Sequence, residues 1–493
     1  MTDLASAFEH LLMPWPFCLM LIGVVLGVIV GAVPGLTGAM LIALTLPLTY
    51  TMSDPADAMI LLVSMYVGSI SGGLISATLL RMPGTPASIM TTLDGHPLAA
   101  SGQPGRALGL GVAGSFVGGL ISWIFLVLLS KPIADLSTHL GPFDFFSLTF
   151  MALMLIASVA GKSLSRGALS GALGVLASLP GVHPATGDPR MTLGIRELDA
   201  GFQLLPVLIG LFAVSQLVRE ILRLDEKAEA TKYDSSGLLL SVKDWATHAF
   251  NLIRSSLIGV WVGILPGVGA NIGSVLAYSA AKSMSKTPEK FGEGSEEGII
   301  ASEAANNATV GGALIPLVAL GIPGSVIDAI LLGALVLHGL TPGPMLFRDN
   351  PEVVYTIMAT TLVANFAMAA FMLLSIRYLT RLMIAPRAYL VPIVLVCCVI
   401  GSYAQNNRMF DVWIMLAFGA VGFVMESVKI PLAPFVIGFI LAPIAEENLG
   451  AGLQASGGSY IPIVTSPISL VFCLCAVGLL VWPMIRRVWK PDG

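Results

Sequence analysis

The chain has 493 residues, of which 56% are hydrophobic and 11% charged, and its mean hydropathy is +0.88. A water-soluble domain cannot hide that much apolar surface, so the chain belongs in a bilayer. A net charge of −4 with no long basic run leaves nucleic-acid phosphates without a partner, so no nucleic acid is expected to bind.

The N-terminus, MTDLASAFEH, carries Asp3 and Glu9 where a secretory signal has a basic flank, and the first apolar run, 13–33, reads as a retained helix. Further runs cover 36–50, 57–80, 106–130, 143–160, 166–180 and 202–222. After a charged interval they resume at 251–266, 270–281, 308–337, 352–376, 389–401, 411–425, 430–445 and 461–485. A crossing takes about 20 apolar residues, so these amount to roughly 10 to 12 crossings once short and broken ones are counted. The predicted fold class is an all-α polytopic membrane protein. The interval 223–250 opens with Arg223, Asp225, Glu226, Lys227, Glu229, Lys232 and Asp234, which cannot enter lipid cheaply. It reads as a cytoplasmic linker between membrane segments 13–222 and 251–485. Cys18, Cys397, Cys398, Cys473 and Cys475 lie in apolar runs without metal-site spacing and read as small core residues.

The two segments resemble each other. Gly27-x3-Gly31-x2-Pro34-Gly35 returns as Gly259-x3-Gly263-x2-Pro266-Gly267, a constant offset of 232. Gly72-Gly73 followed by Met82-Pro83-Gly84-Thr85 returns as Gly311-Gly312 followed by Ile322-Pro323-Gly324-Ser325. Asp94-Gly95 and Pro97 correspond more loosely to His338-Gly339 and Pro342. Chains rich in Gly and Pro produce some matches freely, but the preserved order favours an internal repeat. Charge bias divides on its orientation: Arg377, Arg381 and Arg387 against the poorer counterpart near Lys131 favour inversion, whereas both segments end basic, at Arg219/Arg223 and at Arg486/Arg487/Lys490. An inverted pair with broken or re-entrant helices is the expected arrangement.

The repeated Pro-Gly pairs carry the chemistry. Such a pair removes a backbone donor and admits non-helical dihedrals, which breaks a helix and frees N–H and C=O groups at membrane depth. Those groups need partners in protein or in a wet cavity. Four breaks occur: VPGLTG at 33–38, MPGTPAS at 82–88, LPGVGANIGS at 265–274 and IPGS at 322–325. Pro34, Gly35, Gly38, Pro83, Gly84, Pro266, Gly267, Pro323 and Gly324 shape them, and Thr37, Thr85, Ser88, Asn271, Ser274 and Ser325 follow as small donors and acceptors near the start of the next helix. Helix N-termini can hold a carboxylate without a dedicated cation, and freed carbonyls can coordinate Na⁺. The other reading of each break is a kink or a close helix contact. Arg81 reads equally as a partner for a substrate carboxylate and as an interfacial side chain reaching for headgroups. Glu303 shares a helical face with Asn306 and Asn307, an arrangement suited to a coupling cation; the alternative ends a solvated amphipathic helix, 286–303, at Glu303. Asp94 with Gly95-His96-Pro97 reads as a turn.

No HExxH occurs among the six histidines, Ser69-x-Ser71-Gly72 lacks the first Gly of GxSG, and no GxxxxGK[ST] loop is present. An enzyme or a P-loop ATPase is therefore not expected, and no cofactor is needed. Energy would come from an ion gradient or another chain.

The blocks PGLTGAMLIALTLPLTY, SGGLISATLLRMPGTPASIMTTLDGHPLA and EGIIASEAANNATVGGALIPLVALGIPGS…LLGALVLHGLTPGP resemble the large membrane permease subunit of tripartite tricarboxylate transporters, the TctA family, across nearly the whole chain. The resemblance implies a multi-pass permease of the bacterial inner membrane that works with a small membrane subunit and a periplasmic solute-binding protein. It implies import of small organic di- or tricarboxylates with Na⁺ or H⁺ as coupling ion, by alternating access, with an elevator-type motion as the expectation. A stand-alone carboxylate symporter and a passive channel are the alternatives. Arg81 stands where the family usually has Asn, as in LLNIPG, and Ala281 where a Glu before the Lys is common, so the tricarboxylate label does not transfer automatically.

Overall fold

The computed structural model of the chain describes residues 2–159, 163–183, 186–222, 236–382 and 387–489. It is helical throughout, apart from a two-stranded antiparallel hairpin pairing Gly181–Val182 with Pro189–Arg190. Among the described residues seven helices are long and apolar enough to cross a membrane, and five shorter apolar helices of 10–17 residues accompany them. The chain is a polytopic all-α membrane protein.

The first stretch contains α1 (Thr2–Leu11), α2 (Pro14–Ala32), α3 (Gly38–Thr49), α4 (Pro55–Leu79), α5 (Thr91–Ala100) and α6 (Pro104–Ser137). Then come α7 (Pro142–Val159), α8 (Leu164–Ser178), α9 (Leu204–Leu208), a π-helical turn over Ile209–Val214, and α10 (Ser215–Leu222). The second stretch contains α11 (Val242–Ile264), α12 (Gly269–Met284), α13 (Glu296–Leu320), α14 (Val326–Leu337), α15 (Pro344–Asp349) and α16 (Pro351–Leu382). The chain continues through α17 (Arg387–Ala404), α18 (Met409–Ser427), α19 (Leu432–Ala455), α20 (Pro462–Thr465) and α21 (Pro467–Trp489). Local signals set the helix starts. Asp54 accepts the N–H of Ala56 ahead of Pro55, Ser241 and Asp244 form a reciprocal capping box, and Ser295 accepts the N–H of Gly298.

The linker's charged residues 223–235 lie outside the described residues. Residues 242–250, counted with that linker on sequence, are the amphipathic start of α11. The apolar run 308–337 is not one helix, because Gly321 to Ser325 separate α13 from α14. Of the five cysteines read as core residues, only Cys398 is buried in protein; Cys18, Cys397 and Cys475 are exposed on the protein surface and Cys473 is partly so.

The chain folds into two compact units, neither of which follows the division of the sequence at 223–250. One comprises Met1–Pro132 and Gln216–Gly401, the other Ile133–Ser215 and Ser402–Gly493. In the first, α2 and α4 run parallel, with Gly23, Gly27 and Gly31 facing residues 61–69 in ascending order. The pair α11 and α13 repeats this, with Gly259 against Ala305 and Gly263 against Thr309 and Gly312. Side chains there would hold the backbones apart, so glycine stripes set the close approach. Helix α6 packs through Gly114 and Gly118 on Ile300 and Ala304 of α13, while α16 packs on α2 and α4. Each stretch thus lends its long sixth helix to the other. In the second unit α19 packs on α7 and α8, Ser147 meets Ser469 at 2.6 Å, and Arg190 ties the hairpin to Glu446 of α19 at 2.6 Å.

Candidate functional site

All four Pro-Gly breaks lie in the first unit. Two of them close identically. Helix α4 ends with Arg81 in the left-handed region (φ 55°) and the N–H of Met82 reaching back to Ser76 O at 3.4 Å; α13 ends with Gly321 at φ 70° and the N–H of Ile322 reaching Pro316 O at 3.2 Å. In both, an N–H just past the helix end bonds to a carbonyl six residues back and closes the C-terminus around a left-handed residue. Glycine takes the left-handed position freely at 321, whereas arginine does so at a cost.

After these closures the chain turns back against the preceding glycine stripe. A methyl group on Gly84 would overlap the carbonyl oxygen of Gly31 and the Ser76 hydroxyl. A methyl on Gly324 would lie 2.8 Å from the carbonyl oxygen of Gly263 and 2.7 Å from Ala313 Cβ. Gly31 and Gly263 are the matched positions of the earlier motif, so the same contact forms in both stretches.

The breaks also meet across the stretches. Gly38 abuts Ser69 and Ile327, the turn Pro86–Ser88 packs on α12, and Gly269 approaches Ser325. Pro34, Gly84, Thr85, Ser88, Gly267, Ser274, Pro323 and Gly324 are buried, while Gly35, Thr37, Pro266 and Ser325 are partly so. Thr37 and Ser325 act as N-caps, accepting from Met40 N at 3.1 Å and Asp328 N at 3.3 Å. Thr85 and Ser88 hydroxyls lie 3.1 Å apart in the pocket left by Gly73, where a Cβ would overlap Ser88. Ser274 Oγ is buried without a partner among the described residues. Arg81, Pro83 and Asn271 are exposed on the protein surface, so they sit at the rim of the cluster.

Glu303 is fully buried two turns into α13, which removes the reading of a solvated helix ending there. Its Oε1 accepts from Thr91 of α5 and its Oε2 from Ser115 of α6 at 3.1 Å. Asn307 donates to Asn306 Oδ1 at 2.7 Å and to Glu303 O at 3.2 Å, and its own Oδ1 accepts from Ser71 of α4 at 2.6 Å. The carboxylate and the two amides therefore form one buried polar cluster at the contact of α4, α5, α6 and α13, with Asn306 Nδ2 left without a partner among the described residues.

Helix α13 is held in register at its start. Arg106 of α6 pairs with Asp244 of α11 at 2.7 Å and Glu296 of α13 at 2.8 Å, and His248 lies 3.2 Å from Glu296. Asp94, read on sequence as a turn residue, lies inside α5 and is fully buried. Its Oδ1 accepts the N–H groups of Gly292 at 2.7 Å, Gly294 at 3.0 Å and Ser295 at 2.8 Å. A buried carboxylate oxygen that accepts three backbone N–H groups is a structural clamp. Asp94→Ala is expected to destabilise the protein by about 3 kcal/mol, and Asp94→Asn by less because one oxygen acceptor survives. Thermal unfolding of the two variants in detergent checks the order.

Tyr66 and Asp328 were not singled out on sequence. Tyr66 Oη lies 3.2 Å from Ser325 Oγ and donates to Asp328 Oδ2 at 3.5 Å, both residues of the other stretch. The Ser325-x-x-Asp328 spacing was a visible signal, since Ser with an acid three residues on marks a helix start. These contacts also set direction: with Tyr66 near Ser325 and Ser71 bonded to Asn307, α4 and α13 run antiparallel. His10, Asp54 and Asp57 could hold a metal ion by distance, but Asp54 caps α4 and His10 pairs with Asp57 at 3.4 Å.

A multi-pass helical membrane protein with paired helix breaks around a buried polar cluster is the class that this fold defines. The chain belongs to the Tripartite tricarboxylate transporter TctA family, which it matches over residues 17–437. It is 33% identical over 478 residues to an "Uncharacterized 52.8 kDa protein in TAR-I ttuC' 3'region" of Agrobacterium vitis, covering 97% of this chain and 94% of the relative. It is 36% identical over 231 residues to an "Uncharacterized protein in TAR-II ttuC' 3'region" of the same organism, covering 46% of this chain and 96% of the relative. No solved structure matches the chain.

Proposed function

We propose that the chain is the permease subunit of a secondary transporter that imports small organic di- or tricarboxylates across the bacterial inner membrane. A small membrane subunit and a periplasmic solute-binding protein complete the system, and a Na⁺ or H⁺ gradient drives it. Residues 13–222 and 251–485 contain the two inverted repeats of this reading.

The observation that carries it is the pair of identical closures at 81–84 and 321–324 on helices running in opposite directions. Inverted repeats with discontinuous helices place substrate and ion sites where the breaks meet. The breaks bring Thr37, Thr85 and Ser88 to helix starts, where backbone N–H groups favour an anionic carboxylate. Arg81 at the rim supplies the positive charge for a second carboxylate. Glu303, Asn306 and Asn307 supply the buried acceptors for the coupling cation. Alternating access then moves one substructure against the other, as in an elevator. A membrane enzyme would have only Asp94, His96 and Glu303 as acid–base groups, and of these Asp94 clamps α13 and His96 Nδ1 lies 3.2 Å from Thr78 O.

Uptake of a labelled di- and tricarboxylate panel into proteoliposomes, with each partner omitted in turn and Na⁺ or proton gradients imposed, tests the reading. Gradient- and partner-dependent accumulation is expected. Accumulation without the binding protein would make the chain a stand-alone symporter, and equilibration without accumulation would make it a channel.

A further inference from the structure

The two equivalent breaks differ in charge. Counting from the matched glycines, Thr85 corresponds to Ser325 and Ser88 to Asp328, each an offset of 240. Thr85 and Ser325 both stand in extended backbone at the N-cap of the helix that follows. The hydroxyl of Ser88 therefore has a carboxylate as its counterpart. Asp328 is fully buried, its Oδ2 accepts from Tyr66, and its Oδ1 has no partner among the described residues. Among the described residues no Lys, Arg or His forms an ion pair with it.

An ionised carboxylate in a protein interior is costly unless a counter-charge reaches it. The N-terminus of α14 contributes part of one, but the N–H of Asp328 itself is taken by Ser325 Oγ. A proton on Oδ1 would need an acceptor of its own, and none is in place among the described residues. A hard monovalent cation takes oxygen ligands, and oxygens of three side chains gather here: Tyr66 Oη lies 3.2 Å from Ser325 Oγ and 3.5 Å from Asp328 Oδ2, on a carboxylate whose other oxygen is unpartnered among the described residues. Tyr66 comes from α4 and the other two from the break of the opposite stretch, so the site exists only while the two antiparallel stretches are packed together.

We propose that Asp328, Ser325 and Tyr66 form a monovalent metal-cation site, suited to Na⁺, at the break 321–328, distinct from Glu303 and carrying a carboxylate where the break 81–88 has the Ser88 hydroxyl. The division assigns the cation to one break and the carboxylate to its counterpart. This deepens the transporter reading and rests on it for the cation's role in coupling.

Equilibrium binding of radioactive Na⁺ to the purified full chain in detergent, with choline replacing Na⁺ at constant ionic strength and no carboxylate or partner present, tests the site. Asp328→Asn is expected to lose one bound Na⁺ per chain or to raise its half-saturating concentration by roughly tenfold or more, since ligand charge sets cation affinity. Unchanged stoichiometry and midpoint in Asp328→Asn would overturn the proposal, as would an unmodified protein that binds no Na⁺. Should Asp328→Asn not give monodisperse protein, Ser325→Ala decides: a midpoint raised roughly threefold or more upholds the site, and an unchanged midpoint overturns it. Na⁺ binding lost with Asp328 in a protein that accumulates no carboxylate would uphold the site and sink the carboxylate reading instead.

Discussion

Gly84→Ala is expected to reduce carboxylate uptake by roughly tenfold or more while the protein still inserts, because overpacking at a fixed backbone contact costs about 1–3 kcal/mol or more. The new methyl would meet the Gly31 carbonyl and the Ser76 hydroxyl, so the returning segment 82–88 must lift away from α2 and α4. Thr85 and Ser88 move with it, and they line the proposed anion site. Gly324→Ala makes the same kind of contact with more room, at 2.7 Å from Ala313 Cβ and 2.8 Å from Gly263 O. Its effect is therefore expected to be smaller in the same direction, and leucine at either position should abolish uptake. Initial rates normalised to inserted protein measure the series. Unmodified rates in both alanine variants would remove the breaks from the transport site, whereas equal losses would show that the two breaks do not differ in the way their packing implies.

Glu303→Gln is expected to fold and to lose gradient-driven accumulation by roughly tenfold or more, since the charge that would attract a coupling cation is gone. Glutamine keeps the shape, and the hydroxyls of Thr91 and Ser115 can rotate to accept or donate. Glu303→Ala has a second consequence. It leaves two buried hydroxyls without their acceptor and opens a void among α5, α6 and α13, a loss of about 2–4 kcal/mol. Comparing accumulation with counterflow exchange separates the two roles. A coupling residue loses accumulation and keeps exchange when changed to glutamine; a residue that only holds helices together loses both in step with its thermal stability. Unmodified accumulation in Glu303→Gln would take Glu303 out of the coupling machinery.

The proposed site was partly legible in advance because Pro-Gly pairs leave a local mark. A missing donor and a left-handed position disrupt a helix wherever they stand, so the interruptions at 33–38, 82–88, 265–274 and 322–325 needed no partner to be foreseen. Glu303 was harder. Its neighbours up to Glu297 are charged, and the same carboxylate fits a solvated helix end or a buried cluster. Burial was decided by Asp94 and Arg106, which anchor the start of α13 from α5 and α6, about 190 to 200 residues away in the chain. Asp328 and Tyr66 were missed because neither stands out locally. One reads as a helix cap and the other as a core aromatic, and only their meeting across α4 and α14 makes a site.

Membrane residence, the helical class, the family resemblance and the places where helices break could all be read from the residues in order, since each follows from short-range hydropathy, proline geometry or a contiguous motif. Tertiary structure decided which breaks meet, that α4 and α13 run antiparallel, that α6 packs on α13 while α16 packs on α4, and that the compact units draw on both stretches. Charge bias could not settle direction, because basic residues mark only which side of the bilayer a loop occupies and both segments end basic. The directions of α4 and α13 follow from packing: glycine stripes admit only particular partners at backbone contact, and buried polar groups such as Ser71 and Asn307 must find each other once water is excluded.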